Sequence, residues 1–291
     1  MTQETDILET EAPVLSPADR AFFDENGYVV VKNVVPPAHL QAVVDAAFEY
    51  LEMDPSDPTD WYRPPLTLGG MLEMYQHQAL WNNRQYPRLH RAFADLFGTD
   101  NLWVSIDRAN FKPPFRPDHP EYDHKGMLHW DTDVTRANTT PFGVQGVLYL
   151  TDTDETMGGF CCAPGHHKIV EEWAKTAEPG SGAKPDMTNV SVVPITGKAG
   201  DLVIWDRNLY HGNGRNLSAR PRLAQYISMF PAPTGERFEQ AREDRVHRWK
   251  NRLPPNAPWI GHDPRAWEVN QGKTAELSPL GRKLLGRDSW E

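Results

Sequence analysis

One short segment, Gly126-Met127-Leu128-His129-Trp130-Asp131, carries an imidazole and a carboxylate two residues apart. Alternate residues of a β-strand point to the same face, so an extended backbone here would project His129 and Asp131 together. A second imidazole, His211, stands far along the chain. Two imidazoles and one carboxylate can hold a ferrous ion on one face and leave the opposite face open. The sequence therefore predicts a metal site made by His129, Asp131 and His211.

The route that returns His211 to the first two ligands can also be read from the sequence. Ala199-Gly200-Asp201 is typical of a turn, and the apolar run that follows it predicts a strand over 201–205. A second short strand is predicted over 208–211, ending on His211. Two successive strands of this kind would bring the second imidazole beside the first.

Arg222 heads another apolar run, Leu223-Ala224-Gln225-Tyr226-Ile227. A guanidinium can grip a carboxylate with two parallel hydrogen bonds, so Arg222 is predicted to hold the far carboxylate of a keto-acid cosubstrate. Arg220 is a near competitor for that role.

A His-x-Asp pair alone is weak evidence in a chain with 11 His and 40 acidic residues, and could be a surface hydrogen-bonding pair. The complete set of residues favours an iron oxygenase.

The surrounding residues resemble the phytanoyl-CoA dioxygenase family of Fe(II)/2-oxoglutarate oxygenases. The stretch 105–115 running into His129-Trp130-Asp131 is similar to the ectoine hydroxylase branch of that family. The resemblance covers roughly residues 17–230. It also rests on four further segments, which are Phe22–Val30, Leu148–Asp152, Gly158–Phe160 and Ala163–Lys168.

The resemblance implies roles for individual residues. His129, Asp131 and His211 match the iron ligands of the family, and Arg222 matches the arginine that binds the 5-carboxylate of 2-oxoglutarate. Asn110 matches an asparagine near the 1-carboxylate.

Lys112 is a neighbour of the same cosubstrate site. Dioxygen is the third reactant that the resemblance implies. Three positions depart from the expected pattern, namely Ile106 for glutamine, Asn213 for serine and His166 for serine. The first two departures argue against ectoine itself as the substrate.

The fold that these patterns predict is mainly β with flanking helices, around a double-stranded β-helix core of the jelly-roll, cupin-like type at about 100–230. Residues 1–15 are expected to be a flexible tail and 16–291 a single oxygenase domain. Many short apolar runs separated by Gly, Pro and Asp indicate the strands. They are predicted near 28–33, 102–111, 126–131, 144–151, 159–163, 190–195, 201–205, 208–211 and 222–230.

Helices are predicted from Pro17 to Gly27, with Ser16 as the N-cap, and from Pro37 to about Leu51. A third helical segment is expected over 71–97 with an interruption near Pro87, and a fourth over 237–251. The segments 53–69 and 176–189 are expected to be loops, and their roles stay open.

Composition restricts the partners. A net charge of −10 argues against a nucleic-acid surface, and no apolar run approaches the length of a membrane span. The acidic N-terminus lacks the basic and apolar regions of a signal peptide. Two adjacent cysteines, Cys161 and Cys162, offer no disulfide framework. We therefore expect a cytoplasmic protein with a small-molecule substrate and neither nucleic acid nor membrane as partner; the oligomeric state stays open.

Three other functions use the same residues. A zinc hydrolase could employ the same triad, although it would not need the carboxylate clamp at Arg222. A cupin-like binding protein without catalytic activity is the second alternative. The third is a halogenase, which replaces the carboxylate ligand with a small residue to make room for halide; Asp131 argues against it. A zinc site at Cys161, Cys162, His166 and His167 is disfavoured, because adjacent residues of a strand face opposite sides.

Overall fold

Antiparallel sheets and helices share the part of the chain that this computed structural model describes, residues 12–257 and 260–290. Its helices are α1 (Pro17–Asn26), α2 (Pro37–Leu51), α3 (Gln78–Arg84), α4 (Pro87–Phe97), α5 (His166–Ala174), α6 (Glu236–Asn251), α7 (Trp267–Gln271) and α8 (Pro279–Leu285). Its strands are β1 (Tyr28–Val31), β2 (Leu102–Val104), β3 (Ala109–Lys112), β4 (Val144–Tyr149), β5 (Phe160–Cys162), β6 (Val193–Pro194), β7 (Leu202–Asp206), β8 (His211–Asn213), β9 (Arg222–Tyr226) and β10 (Met229–Pro231). Sheets and flanking helices are both present, as predicted, but the expected predominance of β-structure is not shown, because the helices contain more of the described residues than the strands do.

The strands form a five-stranded sheet in the order β1-β7-β4-β9-β3, a three-stranded sheet in the order β6-β5-β8, and the pair β10-β2. Residues of β4 and β7 alternate between two environments, as the pleat requires. One set packs against residues of the three-stranded sheet, and consists of Val147, Tyr149, Val203 and Trp205. The other set, Leu148, Leu202 and Ile204, joins the larger core beneath the helices. The five-stranded sheet is thus covered on both faces.

The chain enters this core through α1. Ser16 accepts a hydrogen bond from the Asp19 backbone, and Gly27 ends the helix with φ 75°, so the predicted start and stop are confirmed. The expected tail is wrong at its inner end, because the Val14 and Leu15 backbone N–H groups donate to the Asp95 carboxylate and Leu15 is buried. Residues 1–11 lie outside the described part of the chain.

Several predicted strand bounds are wrong. The segment 126–131 is not a strand, since it pairs through an isolated bridge at His129. The predicted strand over 102–111 is two strands, β2 and β3, and the one over 222–230 divides into β9 and β10. Pairing with distant strands determines where each strand begins and ends, and local composition does not predict that pairing.

Predicted helical structure also differs. Residues 71–77 are not helical, because Met71 pairs with Asn110 and the Leu72 N–H donates to Ala109 O along the edge of β3. The helix α5 was not predicted. The segments 53–69 and 176–189 contain neither helix nor strand, as expected for loops. Among the described residues, no helix combines the length and the apolar character needed to cross a bilayer.

Candidate metal centre

His129 and His211 are held side by side by their own backbones. The His129 N–H donates to His211 O at 2.8 Å, and the His211 N–H donates back at 3.2 Å. Gly212 makes this approach possible, because a Cβ there would lie 2.2 Å from Met127 O. The two imidazole centroids are 4.8 Å apart as a result.

Asp131 completes the group. Its Oδ1 lies 3.1 Å from His129 Nε2, and its Oδ2 lies 3.4 Å from His211 Nε2. One ligand atom from each of the three residues falls within 4.8 Å of the others, the only such His/Cys/Asp/Glu group in the described chain. The predicted common orientation of His129 and Asp131 is confirmed, although an isolated bridge rather than a strand provides it.

The Nδ1 atoms of both imidazoles face backbone carbonyls two residues upstream. His129 Nδ1 lies 3.0 Å from Met127 O, and His211 Nδ1 lies 2.8 Å from Leu209 O. A carbonyl can only accept, so each Nδ1 carries the proton and donates. With Nδ1 occupied in this way, Nε2 is the atom of each ring that faces Asp131 and that a metal ion would bind in place of a proton.

The carboxylate has a supporting partner that sequence reasoning missed. Gln145 Nε2 donates to Asp131 Oδ2 at 2.7 Å, while Gln145 Oε1 accepts from Trp205 Nε1 at 3.1 Å. The signal that could have found Gln145 is a polar residue in the otherwise apolar strand Val144–Tyr149. Hydrogen bonds from His129, His211 and Gln145 hold the pKa of Asp131 well below its usual range.

Asp131 also raises the pKa of His129, mainly through their hydrogen bond. The carboxylate therefore attracts positive charge to the point between the imidazoles. A divalent cation bound there would take the place of that proton. The donor set, the tautomers and the charge all fit such an ion.

The triad opens into a cavity of about 610 Å³. Its walls come from both larger sheets, with Gln145 of β4, Trp205 of β7 and Tyr226 of β9 on one side and Phe160 and Asn213 on the other. Asn110 and Lys112 of β3 line the same cavity. The structure thus gathers most of the predicted site residues around one space.

Two buried basic residues stand together at this cavity, Lys112 in its lining and Arg222 behind it. Lys112 of β3 pairs directly with Arg222 of β9, so the two side chains are cross-strand neighbours. Lys112 Nζ donates to Gly158 O at 3.1 Å and Gly214 O at 2.6 Å. Burial, reinforced by Arg222, lowers the pKa of Lys112 to about 6. No carboxylate of the described residues forms an ion pair with either cation, so the pair is suited to an anion.

Arg222 is almost fully buried, directly behind the cavity wall. Its Nη2 donates to Gly158 O at 3.1 Å and Asn213 Oδ1 at 3.2 Å, whereas its Nε has no hydrogen-bond partner in the described chain. Arg220, the competing arginine, is exposed and its Nη2 lies 3.9 Å from Met157 Sδ. The difference in burial separates the two arginines.

Asn110 lies on the same face of β3 as Lys112, two residues away. Its Nδ2 donates to Gly69 O at 2.9 Å, and its buried Oδ1 has no partner in the described residues. Ile106 does not line this cavity; it lies in the wall of a second, smaller cavity with Asp107. The side chains of Cys161, Cys162, His166 and His167 do not form a metal-binding cluster there.

The chain is similar to known proteins in both sequence and fold. The model of the phytanoyl-CoA dioxygenase (PhyH) family matches residues 23–224. A Dictyostelium discoideum protein that bears the same family name is 26% identical over 265 residues, which is 73% of this chain and 75% of that protein. An ectoine dioxygenase of Bordetella bronchiseptica is 26% identical over 157 residues, 48% of this chain and 50% of the enzyme.

Solved structures show the same fold. The epimerase SnoN, in complex with Fe3+, alpha ketoglutarate and nogalamycin RO, has a TM-score of 0.53 at 19% identity; the match covers 90% of this chain and 94% of SnoN. The family model spans most of the chain and includes all three residues of the triad. This chain belongs to the phytanoyl-CoA dioxygenase family and is an enzyme of the dioxygenase class.

Proposed function

We propose that the enzyme is an Fe(II)- and 2-oxoglutarate-dependent dioxygenase that hydroxylates a small molecule at an unactivated carbon, with release of succinate and CO2. The observation that carries the proposal is the shared cavity. It holds a two-histidine, one-carboxylate group and is lined by Lys112, whose cross-strand partner is the buried Arg222; neither basic residue has an acidic partner among the described residues. Family membership argues against the zinc hydrolase and the binding protein without catalytic activity.

In this proposal His129, Asp131 and His211 hold the iron. The carbonyls of Met127 and Leu209 keep both imidazoles in the binding tautomer, and Gln145 orients the carboxylate. When bound, iron and 2-oxoglutarate supply the oxidising chemistry with dioxygen. The protein contributes the positions of the reactants and a cavity that limits access of water.

The proposed anchor of the cosubstrate is Arg222. A carboxylate would replace Asn213 Oδ1 as the acceptor of Nη2, and would also satisfy the unpartnered Nε, which gives a two-point grip. Lys112 lies on the cavity wall beside it and adds charge to the same carboxylate. The free Oδ1 of Asn110 points to a second polar contact with the cosubstrate.

The proposal extends to architecture and location. The strands at about 100–230 in the five-stranded and three-stranded sheets form the two halves of a jelly-roll core, to which β1 adds an edge strand, within one domain that spans 16–291. The free thiols Cys161 and Cys162 are compatible with a reducing compartment such as the cytoplasm. The substrate in this proposal is a free small molecule rather than a coenzyme A thioester.

The product tests the reaction type. Because Asp131 fills the position that a halogenase leaves to halide, we expect a hydroxylated product, or one derived from hydroxylation, even in excess chloride. Candidate substrates are screened for coupled succinate release, and the product made under labelled dioxygen is analysed by mass spectrometry. A chlorinated product, or turnover without succinate, would contradict the proposal.

Proton uptake tests the role of Lys112. With a pKa of about 6, free Lys112 is mostly neutral at pH 7.5. A bound carboxylate favours the charged ammonium and raises this pKa, so binding should take up close to one proton. The affinity for 2-oxoglutarate should therefore fall as the pH rises above about 6. Anaerobic calorimetry in phosphate and in Tris measures the uptake. If Lys112→Gln keeps the same uptake, another group is responsible.

A further inference from the structure

His124 is the third nitrogen-bearing side chain at the cationic wall. It lies in the segment between β3 and His129, and it lines the metal cavity together with Lys112. Its Nδ1 is buried and has no hydrogen-bond partner among the described residues. Burial, together with the nearby charges of Lys112 and Arg222, lowers the pKa of His124 to about 4. The imidazole is therefore neutral at physiological pH.

The segment that leads to His124 is anchored at two points, Phe115 and Asp123. Asp123 is paired with Arg215 at 2.7 Å, and its side chain is 6% exposed. The Phe115 N–H donates to Asn216 O at 2.7 Å, and the Arg215 guanidinium lies over the Phe115 ring. These contacts tie the segment to the turn after β8. His124 is thus held in the cavity wall by its neighbours.

Three groups that can donate hydrogen bonds therefore meet at one place. Lys112, Arg222 and His124 influence one another electrostatically, and the described residues pair none of them with a carboxylate. Unmatched buried donors are costly unless a ligand supplies acceptors. The ligand that fits is a small anion with several oxygen acceptors, and the proposed cosubstrate brings such a group.

We propose that His124 is a binding residue for the distal carboxylate of 2-oxoglutarate and sets the length of the 2-oxo acid that the enzyme accepts. This inference rests on the proposed function. In this proposal the unpartnered Nδ1 of the imidazole donates to the carboxylate that Arg222 and Lys112 also bind. Because the ring lines the cavity, it would also limit the space available to a longer 2-oxo acid.

The test compares two 2-oxo acids on two variants. The iron-loaded protein is titrated under anaerobic conditions with 2-oxoglutarate and with 2-oxoadipate, which is one methylene longer. For His124→Ala we expect 2-oxoglutarate affinity to fall on the order of tenfold, the usual effect of losing a hydrogen bond to a charged group. The preference for 2-oxoglutarate over 2-oxoadipate should narrow at the same time. His124→Gln, which keeps an N–H donor, should recover much of the affinity.

His119→Ala is the matched control. His119 lies on the same segment but stacks on Tyr62, at 4.8 Å between ring centroids, and does not line the metal cavity. Its removal should change neither affinity. Iron content should stay at one per chain in every variant, which verifies folding.

The outcomes separate the two proposals. If His124→Ala binds both acids as the unmodified protein does, the inference about His124 is wrong while the proposed function stands. A uniform loss for both acids without rescue by His124→Gln would also overturn it, since that result indicates a structural role. If the unmodified iron-loaded protein binds no 2-oxoglutarate, the proposed function itself fails.

Discussion

His211→Ala should remove iron from the protein. His211 is the most buried of the three proposed ligands, with 5% of its side chain exposed, and its Nε2 lies 3.4 Å from the Asp131 carboxylate. Truncation leaves two donors, of which Asp131 is partly accessible to water. Replacing only a supporting partner of a ligand typically costs 10–100-fold in metal affinity, so loss of a ligand should cost at least about 100-fold. Metal analysis after desalting should find one iron per chain in the unmodified protein and almost none in the variant.

His129→Ala should behave in the same way, and turnover should be lost with the metal in both variants. The control is again His119→Ala, since His119 has a similar chemistry but lies outside the triad. Full iron retention and full activity in either ligand variant would show that the triad is not the metal site.

Arg222→Ala should raise the 2-oxoglutarate requirement strongly. The guanidinium is buried beside Lys112, and its Nε is unpartnered in the described structure. A buried carboxylate that loses its charged partner costs about 2–5 kcal/mol, which corresponds to a loss in affinity of roughly 30-fold or more. Anaerobic titration, followed through the visible charge-transfer band of the keto-acid complex, measures this change.

Arg220→Ala provides the comparison, because Arg220 is exposed only two residues away. We expect it to bind the cosubstrate normally. A large effect of Arg220→Ala together with none for Arg222→Ala would reverse the assignment. Iron content should remain unchanged in both variants, since neither arginine contacts the triad.

The sequence predicted the site best where the chemistry of the residues and the local geometry of the backbone indicate the same arrangement. The His-x-Asp spacing predicted that both side chains share a face, and His129 Nε2 lies 3.1 Å from Asp131 Oδ1 in the structure. The predicted strand was wrong because the extended backbone at His129 depends on pairing with His211, a contact between distant parts of the chain. The residues around His129 do not indicate that His211 is its partner.

The contacts made by the supporting residues could not be predicted, for a similar reason. Lys112 faces Arg222 through the register of β3 against β9, and Gln145 reaches Asp131 from a neighbouring strand. Register is a property of the paired strands, so neither contact follows from one segment alone. The boundaries of β8 and the helix α5 were missed because packing decides them.

The backbone carbonyl groups that accept hydrogen bonds from His129 and His211 affect how the site can change as the sequence diverges. Each imidazole is oriented by the main chain two residues before it, and every amino acid has a carbonyl oxygen. Mutations at Met127 or Leu209 can therefore change the side chain and leave the acceptor in place. The orientation of the two histidine ligands is therefore insensitive to substitutions at Met127 and Leu209. A substitution of Gln145, by contrast, can remove its side-chain hydrogen bond to Asp131. The two histidine ligands can thus keep their orientation during evolution while neighbouring side chains change, and with them the molecules that the cavity admits.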